Sequence, residues 1–206
     1  MNTITTIIFD IGGVLYSLDF ATKWNGFVKK TTRNLDEIKR VLYHDDLFYP
    51  YEKGVLTSNE YYKEVSTRLR SSMSFSDFRD IWNSLLVRRE DMFRLAVSLS
   101  HILNVCVISN TNDLNAEVLD RDLMPLTSHL VYSFRVGCMK PDSRIYRTAL
   151  EQWKLQPEEC LFFDDQVENV EGARSVGINS MLFTGINEMK SSLADAGVFS
   201  DPTSWR

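Results

Sequence analysis

Thr6-Ile7-Ile8-Phe9-Asp10-Ile11-Gly12-Gly13-Val14-Leu15 reads as a buried β-strand that ends on an acid and breaks at two glycines. Ile7, Ile8 and Phe9 make the unbroken apolar run that a strand covered on both faces requires. A strand leaving such a sheet at Gly-Gly exposes its last side chain and its backbone groups at the carboxyl edge, where open α/β sheets bind ligands. Asp10 therefore stands where an acid serves as a nucleophile, a cation ligand or both. An Asp that merely caps a turn is the competing reading, and this stretch alone does not separate the two.

Three later stretches repeat the design. Asn104-Val105-Cys106-Val107-Ile108 is a second strand of buried type and ends on Ser109-Asn110-Thr111-Asn112, a turn rich in hydroxyl and amide donors. Cys160-Leu161-Phe162-Phe163 is another, ending on Asp164-Asp165, and two adjacent carboxylates repel unless a cation lies nearby. Between them Lys140-Pro141-Asp142 sets a cation before a helix start, with Pro141 suited to the first turn and Asp142 to the helix dipole. Taken singly, Ser109-Asn110 is an ordinary turn and Lys140 a solvated lysine; it is their shared chain order that points to a site.

The 206 residues suffice for one α/β domain with an inserted subdomain. A hydrophobic share of 44% and a charged share of 25% fit a globular protein with a sizeable core. With a net charge of −5, no excess of Lys and Arg exists to displace counterions from a nucleic acid, so none is expected as a partner. Cys106, Cys138 and Cys160 fit no zinc spacing and read as free thiols of a reducing compartment. The amino terminus lacks a signal-peptide pattern and no apolar run is long enough for a bilayer, so a cytoplasmic location without a membrane partner is expected. His44, His101 and His129 are scattered and read as structural.

From Ser17 to about Arg89 the pattern turns helical. Tyr61, Val65 and Leu69 share one face; Phe75, Phe78, Trp82 and Leu85 another; Ile38, Val41 and Leu42 a third. Asp19, Asn34, Ser58 and Ser76 are the expected caps, and Glu52-Lys53-Gly54 marks a break. Beyond it, helices are expected at 90–102, 113–119, 142–153 and 168–176, and strands at 131–134 and 180–183. That alternation means a Rossmann-like parallel sheet with right-handed crossovers.

These stretches resemble the four motifs of the haloacid dehalogenase superfamily, and the match covers most of the chain. Ile108 to Asn112, Gly137 to Tyr146, and Phe162 to Asp165 with Asn169, Glu171-Gly172-Ala173 and Gly177-Ile178 are most similar to the bacterial α-D-glucose-1-phosphate phosphatases. The resemblance implies a core at 1–15 and 88–206, with a class-one helical cap at 16–87. It also implies a Mg²⁺-dependent phosphatase of a small phosphorylated metabolite, sugar phosphates first. In it Asp10 is the nucleophile, and Ser109, the Asn110 amide and Lys140 hold the phosphoryl oxygens. Asp10, the Gly12 carbonyl and Asp165 bind the metal, Asp164 acts through water or orients the others, and Asn169 fixes the surrounding geometry.

One departure matters. The family places a second Asp, the general acid and base, two residues after the nucleophile, and here that position is Gly12. General acid/base help is worth on the order of 10²–10⁴ in rate, so slow turnover is compatible with this sequence. Glu52, Asp45, Asp46 or His44 are the candidate substitutes. A metal-independent dehalogenase-type hydrolase and a weakly active or non-catalytic phosphate binder are the alternatives; the acid pair argues against the first, and Gly12 favours the second. The run Phe48-Tyr49-Pro50-Tyr51-Glu52 is not helix-periodic and contains a proline, so it is expected to be a loop whose Tyr49, Tyr51 and Glu52 line the substrate pocket.

Overall fold

The computed structural model describes residues 3–19, 23–43 and 46–198. Five parallel strands form the sheet: β1 (Thr6–Phe9), β4 (Asn104–Ser109), β5 (Leu130–Tyr132), β6 (Cys160–Asp164) and β7 (Asn179–Leu182), in the spatial order β5-β4-β1-β6-β7. β1 is central, with Phe9 opposite Val107 on one side and Phe163 on the other. That register carries the ends of β1, β4 and β6 to one edge, and with them Asp10, Ser109 and Asp164.

Period-two alternation explains why these strands are apolar throughout. Ile7, Phe9, Val105, Val107, Leu161 and Phe163 point to one face and pack on helices α6 (Glu90–Ser100), α7 (Asp113–Leu123) and α11 (Ile186–Asp195). Ile8, Cys106, Ile108 and Phe162 point to the other, against α9 (Ser143–Trp153) and α10 (Val167–Arg174). Each such residue, wholly buried, contributes roughly 1.5–3 kcal/mol, so the strand that carries Asp10 is among the most firmly held parts of the chain.

An antiparallel ribbon, β2 (Tyr16–Leu18) with β3 (Leu86–Arg88), leads out of the core and back. Between its strands lie α1 (Asn25–Val28), α2 (Leu35–Tyr43), α3 (Phe48–Glu52), α4 (Ser58–Leu69) and α5 (Phe75–Ser84), which bury a separate cluster built on Trp24, Phe27, Tyr51, Tyr61, Phe78 and Trp82. Asn34 caps α2, accepting from the Glu37 N–H at 3.0 Å. The caps of α4 and α5 are Thr57 and Ser74 rather than Ser58 and Ser76: Thr57 forms a reciprocal pair with Glu60, and Ser74 accepts from the Asp77 N–H at 3.1 Å. Ser58 is diverted to bind Tyr51 Oη and Asp113. The helix that Asp19 was to cap falls on residues outside those described.

Three further expectations are corrected. The segment Phe48–Glu52 is a short helix, not a loop, because Pro50 sits in its first turn, where no N–H is needed. Helix α9 begins at Ser143 with Asp142 as N-cap, its carboxylate accepting from the Arg144 N–H at 2.9 Å, so Pro141 precedes the helix instead of starting it. The strand expected at 131–134 closes at Tyr132 and turns into α8 (Ser133–Val136).

Candidate active site

After Phe9 the chain closes one tight turn in which the Ile11 carbonyl accepts from the N–H groups of Leu15 and Tyr16 at 2.9 and 2.8 Å. Gly13 adopts φ +76° there, and a Cβ on it would overlap the Asp165 carboxylate, so glycine is what lets the turn lie against the end of β6. Asp10 is pinned by its own N–H, which donates to the Phe163 carbonyl at 2.9 Å.

Lys140 closes the arrangement. Its buried ammonium lies 2.6 Å from Asp10 Oδ1 and 2.6 Å from Asp164 Oδ2. The lysine is aimed by Asn110, whose side chain grips the Lys140 backbone from both sides: Oδ1 accepts from its N–H at 2.8 Å and Nδ2 donates to its carbonyl at 2.9 Å. Asp164 is aimed in turn by the Gln166 N–H at 2.9 Å and by Asn169 Nδ2 at 2.9 Å. With those partners Asp164 is a committed acceptor, while Asp165 is exposed to the cavity over Gly13. Oxygens of Asp10, Asp164 and Asp165 all lie within 4.8 Å of one another.

Three carboxylates facing one ammonium leave negative charge uncompensated in a largely dry site. Burial raises the Asp10 pKa to about 7, with Asp164 adding to the rise and Lys140 opposing it. Burial works against the Lys140 ammonium, but Asp10 and Asp164 outweigh it and hold its pKa above the ordinary value. Asp165 is raised by burial and then by Asp164. Hard oxygen donors in this number and charge fit a divalent cation such as Mg²⁺, which would supply the missing positive charge.

A cavity of about 560 Å³ opens above, lined by Asp10, Gly12, Asn110, Lys140, Asp165 and Asn169 from the sheet side. From the helical side come Trp24, Lys39, Tyr43, Phe48, Tyr49 and Glu52. Ser109 is buried under the wall at the end of β4, its hydroxyl donating to the Asn110 carbonyl at 3.3 Å. Tyr51 is a correction: it does not line the cavity but stacks on Tyr61 with ring centroids 4.1 Å apart in the aromatic cluster of the helical insertion, because the helical turn at Phe48–Glu52 rotates it away from Tyr49. Tyr49 stays 59% exposed at the mouth. Asp46 is exposed and away from the cavity lining; His44 and Asp45 lie outside the described residues.

Glu52 is 7% exposed and belongs to the wall. Burial raises its pKa to about 8, Asp10 pushes the same way, and the Asn112 amide and Lys140 pull it back. The nearby Asn112 Nδ2 makes no hydrogen bond of ordinary geometry, so its hold on Glu52 is loose. The backbone at this point is tied to the core. Ser133 Oγ lies 2.6 Å from the Glu52 carbonyl and 2.9 Å from that of Thr111, and accepts from the Thr111 N–H at 2.9 Å. Two residues on, Gly54 at φ +69° lies so close to the Phe134 carbonyl that a Cβ would overlap it. Ser133 and Lys39 carried no signal in the sequence, since a lone hydroxyl or helix-surface lysine looks the same in a site as out of one, and Asn112 was marked only as one donor of the turn that follows β4.

An acid delivered by the central strand, a lysine that neutralises it and room for a cation beside both form a constellation suited to hydrolysis by a side-chain nucleophile. The family model of haloacid dehalogenase-like hydrolases matches residues 4–177, and the chain belongs to that family. It is 23% identical over 189 residues to the D-ribitol-5-phosphate phosphatase of Bacteroides thetaiotaomicron, aligning 86% of this chain with 90% of that protein. It is 27% identical over 211 residues to the drimenol cyclase drtB of Aspergillus calidoustus, where 97% of this chain matches only 37% of the cyclase. A HAD family enzyme of Bacteroides thetaiotaomicron, solved in complex with magnesium and inorganic phosphate, superposes with a TM-score of 0.78 at 25% identity over 87% of this chain and 93% of that one. Among the described residues no helix is long and apolar enough to cross a membrane.

Proposed function

We propose that the chain is a Mg²⁺-dependent phosphatase of a small phosphorylated metabolite, with sugar and polyol phosphates, glucose 1-phosphate among them, as the first class to test. The observation that carries this reading is the Asp10–Lys140–Asp164 arrangement, with Asp165 facing the same cavity. Asp10 attacks phosphorus to give an aspartyl-phosphate that water then cleaves. Lys140, the Ser109 turn and the Asn110 amide hold the phosphoryl oxygens, and Lys140 screens the nucleophile from its neighbours. Asp10, the Gly12 carbonyl and Asp165 would hold Mg²⁺, with Asp164 and Asn169 positioning them; when bound, the ion neutralises charge on the phosphoryl group.

In this reading residues 16–87 are a cap over a core of 1–15 and 88–206. Tyr49 and Glu52 meet the leaving group in a cavity of a size suited to a phosphorylated sugar. The names of the phosphatase and of the magnesium and phosphate complex support the ion and the ester class. The acid cluster weighs against a metal-independent dehalogenase, which has no use for it. A panel of sugar, polyol, nucleotide and aryl phosphates, with Mg²⁺ and with chelator, tests the reading. Phosphate release that requires Mg²⁺ and disappears in Asp10→Asn is the expected result; retained activity in that variant would overturn it.

A further inference from the structure

Gly12 leaves a gap in the proton chemistry. A Cβ built on Gly12 meets nothing within 4 Å, so the place where the family keeps its acid is open space. Resting on the phosphatase reading, we infer that Glu52, reaching in from the helical insertion, supplies the proton to the leaving group and then takes one from the attacking water.

Of the carboxyls lining the cavity among the described residues, Asp10 is the nucleophile and Asp165 faces the cation position, which leaves Glu52. It lines the cavity from the helical insertion and not from the sheet edge that carries Asp10, and the part of the ester leaving phosphorus must lie away from Asp10 if Asp10 attacks in line. The groups facing Glu52 are Asp10 from the end of β1, Lys140 from the loop before α9, Asn112 from the start of α7 and Tyr43 from the end of α2. None forms an ion pair with it, so its proton is not fixed by a dedicated cation. Its backbone is nevertheless fixed to the core by the Ser133 hydroxyl and by the close approach of Gly54 to Phe134, so the carboxyl cannot drift as a residue on a free flap would.

The steps balance without any further reagent. As the bond from Asp10 to phosphorus forms and the bond from phosphorus to the leaving oxygen breaks, the Glu52 carboxyl gives its proton to that oxygen. Glu52 carboxylate then removes a proton from water as the water oxygen bonds to phosphorus and the Asp10–phosphorus bond breaks, which restores both groups.

Leaving-group dependence separates this role from a structural one. With a sugar or polyol phosphate that the wild-type protein hydrolyses, Glu52→Gln should lower kcat by on the order of 10²–10³. With p-nitrophenyl phosphate, whose leaving group needs no proton, the same variant should release a burst of about one nitrophenolate per protein and then stall, with the phosphoryl group trapped on Asp10. Mg²⁺ binding followed by titration calorimetry should be unchanged. Gly12→Asp introduced into the Glu52→Gln protein should restore alkyl-phosphate turnover at least tenfold, which also shows that the variant is folded. Equal loss on both esters with no burst, failure of the Gly12→Asp rescue, or full activity of Glu52→Gln on the alkyl ester would overturn the inference while leaving the phosphatase reading intact. Absence of any Mg²⁺-dependent hydrolysis by the wild type would overturn the reading first and the inference with it.

Discussion

Lys140 keeps its charge in a dry place because two carboxylates sit 2.6 Å away, and they are tolerable there because it is charged. Breaking a buried pair by removing one partner typically costs on the order of 3–5 kcal/mol, since the other charge is left uncompensated. Lys140→Met should therefore lower the melting temperature of the metal-free protein clearly, and added Mg²⁺ should recover part of the loss by serving the same carboxylates. Melting curves with chelator and with Mg²⁺ check this; a variant that melts with the wild type in both conditions would mean that the lysine does not hold the acids together. The acids and the lysine were legible in the chain because each follows a buried strand or precedes a helix, where chemistry and local structure coincide. Asn110 was legible only in part: its place beside Ser109 was clear, but its side-chain grip on the Lys140 backbone spans 30 positions and left no local trace.

At the scale of one element, α3 shows where reading ran out. Proline and a missing helical period suggested a loop, yet a helix this short has no room for a period and tolerates proline in its first turn. The consequence divides two neighbouring tyrosines. Tyr49→Ala should raise KM for a sugar phosphate while sparing a minimal aryl phosphate and leaving the melting temperature nearly unchanged. Tyr51→Ala removes a ring stacked on Tyr61 and bonded to Ser58, and should cost roughly 3–5 kcal/mol of stability, with activity falling on every substrate alike. Kinetics on two esters beside a thermal melt distinguishes the outcomes. The same element should give a pH signature. Glu52 takes up a proton more readily folded, with a pKa of about 8 against 4.5 in its ordinary state, so its contribution to stability is full below 4.5 and is lost as pH rises through about 8. In the metal-free protein, Glu52→Gln should therefore gain melting temperature relative to wild type between pH 5 and pH 8 (about 5 to about 8 as the buried carboxyl ionises); parallel melts across that range would show that the carboxyl is not so placed.

Across the whole molecule, the parallel pairing of the sheet follows from the strand-helix alternation, and three of its five strands were marked by apolar runs ending in polar groups. The division of the apolar residues was less visible. Leu114, the second residue of α7, packs into the cluster of the helical insertion, and Trp82 Nε1 donates to Asn112 Oδ1 at 3.3 Å across the same junction. The two bodies thus meet at the turn that follows Ser109, a long-range joint that no periodicity encodes.

The register of β1 also bears on when the site comes into being. Thr6 pairs on one side with Asn104, 98 positions later, and on the other with Cys160, whereas the aromatic cluster of α1 to α5 closes almost entirely on neighbours within the insertion. Loop closure over such distances is slow compared with local helix packing. A chain emerging from the ribosome would carry Asp10 long before β6 but could not seat it until β6 had been made. The insertion has the means to be ordered earlier, which makes the arrival of β6, rather than of β1, the event that assembles the site.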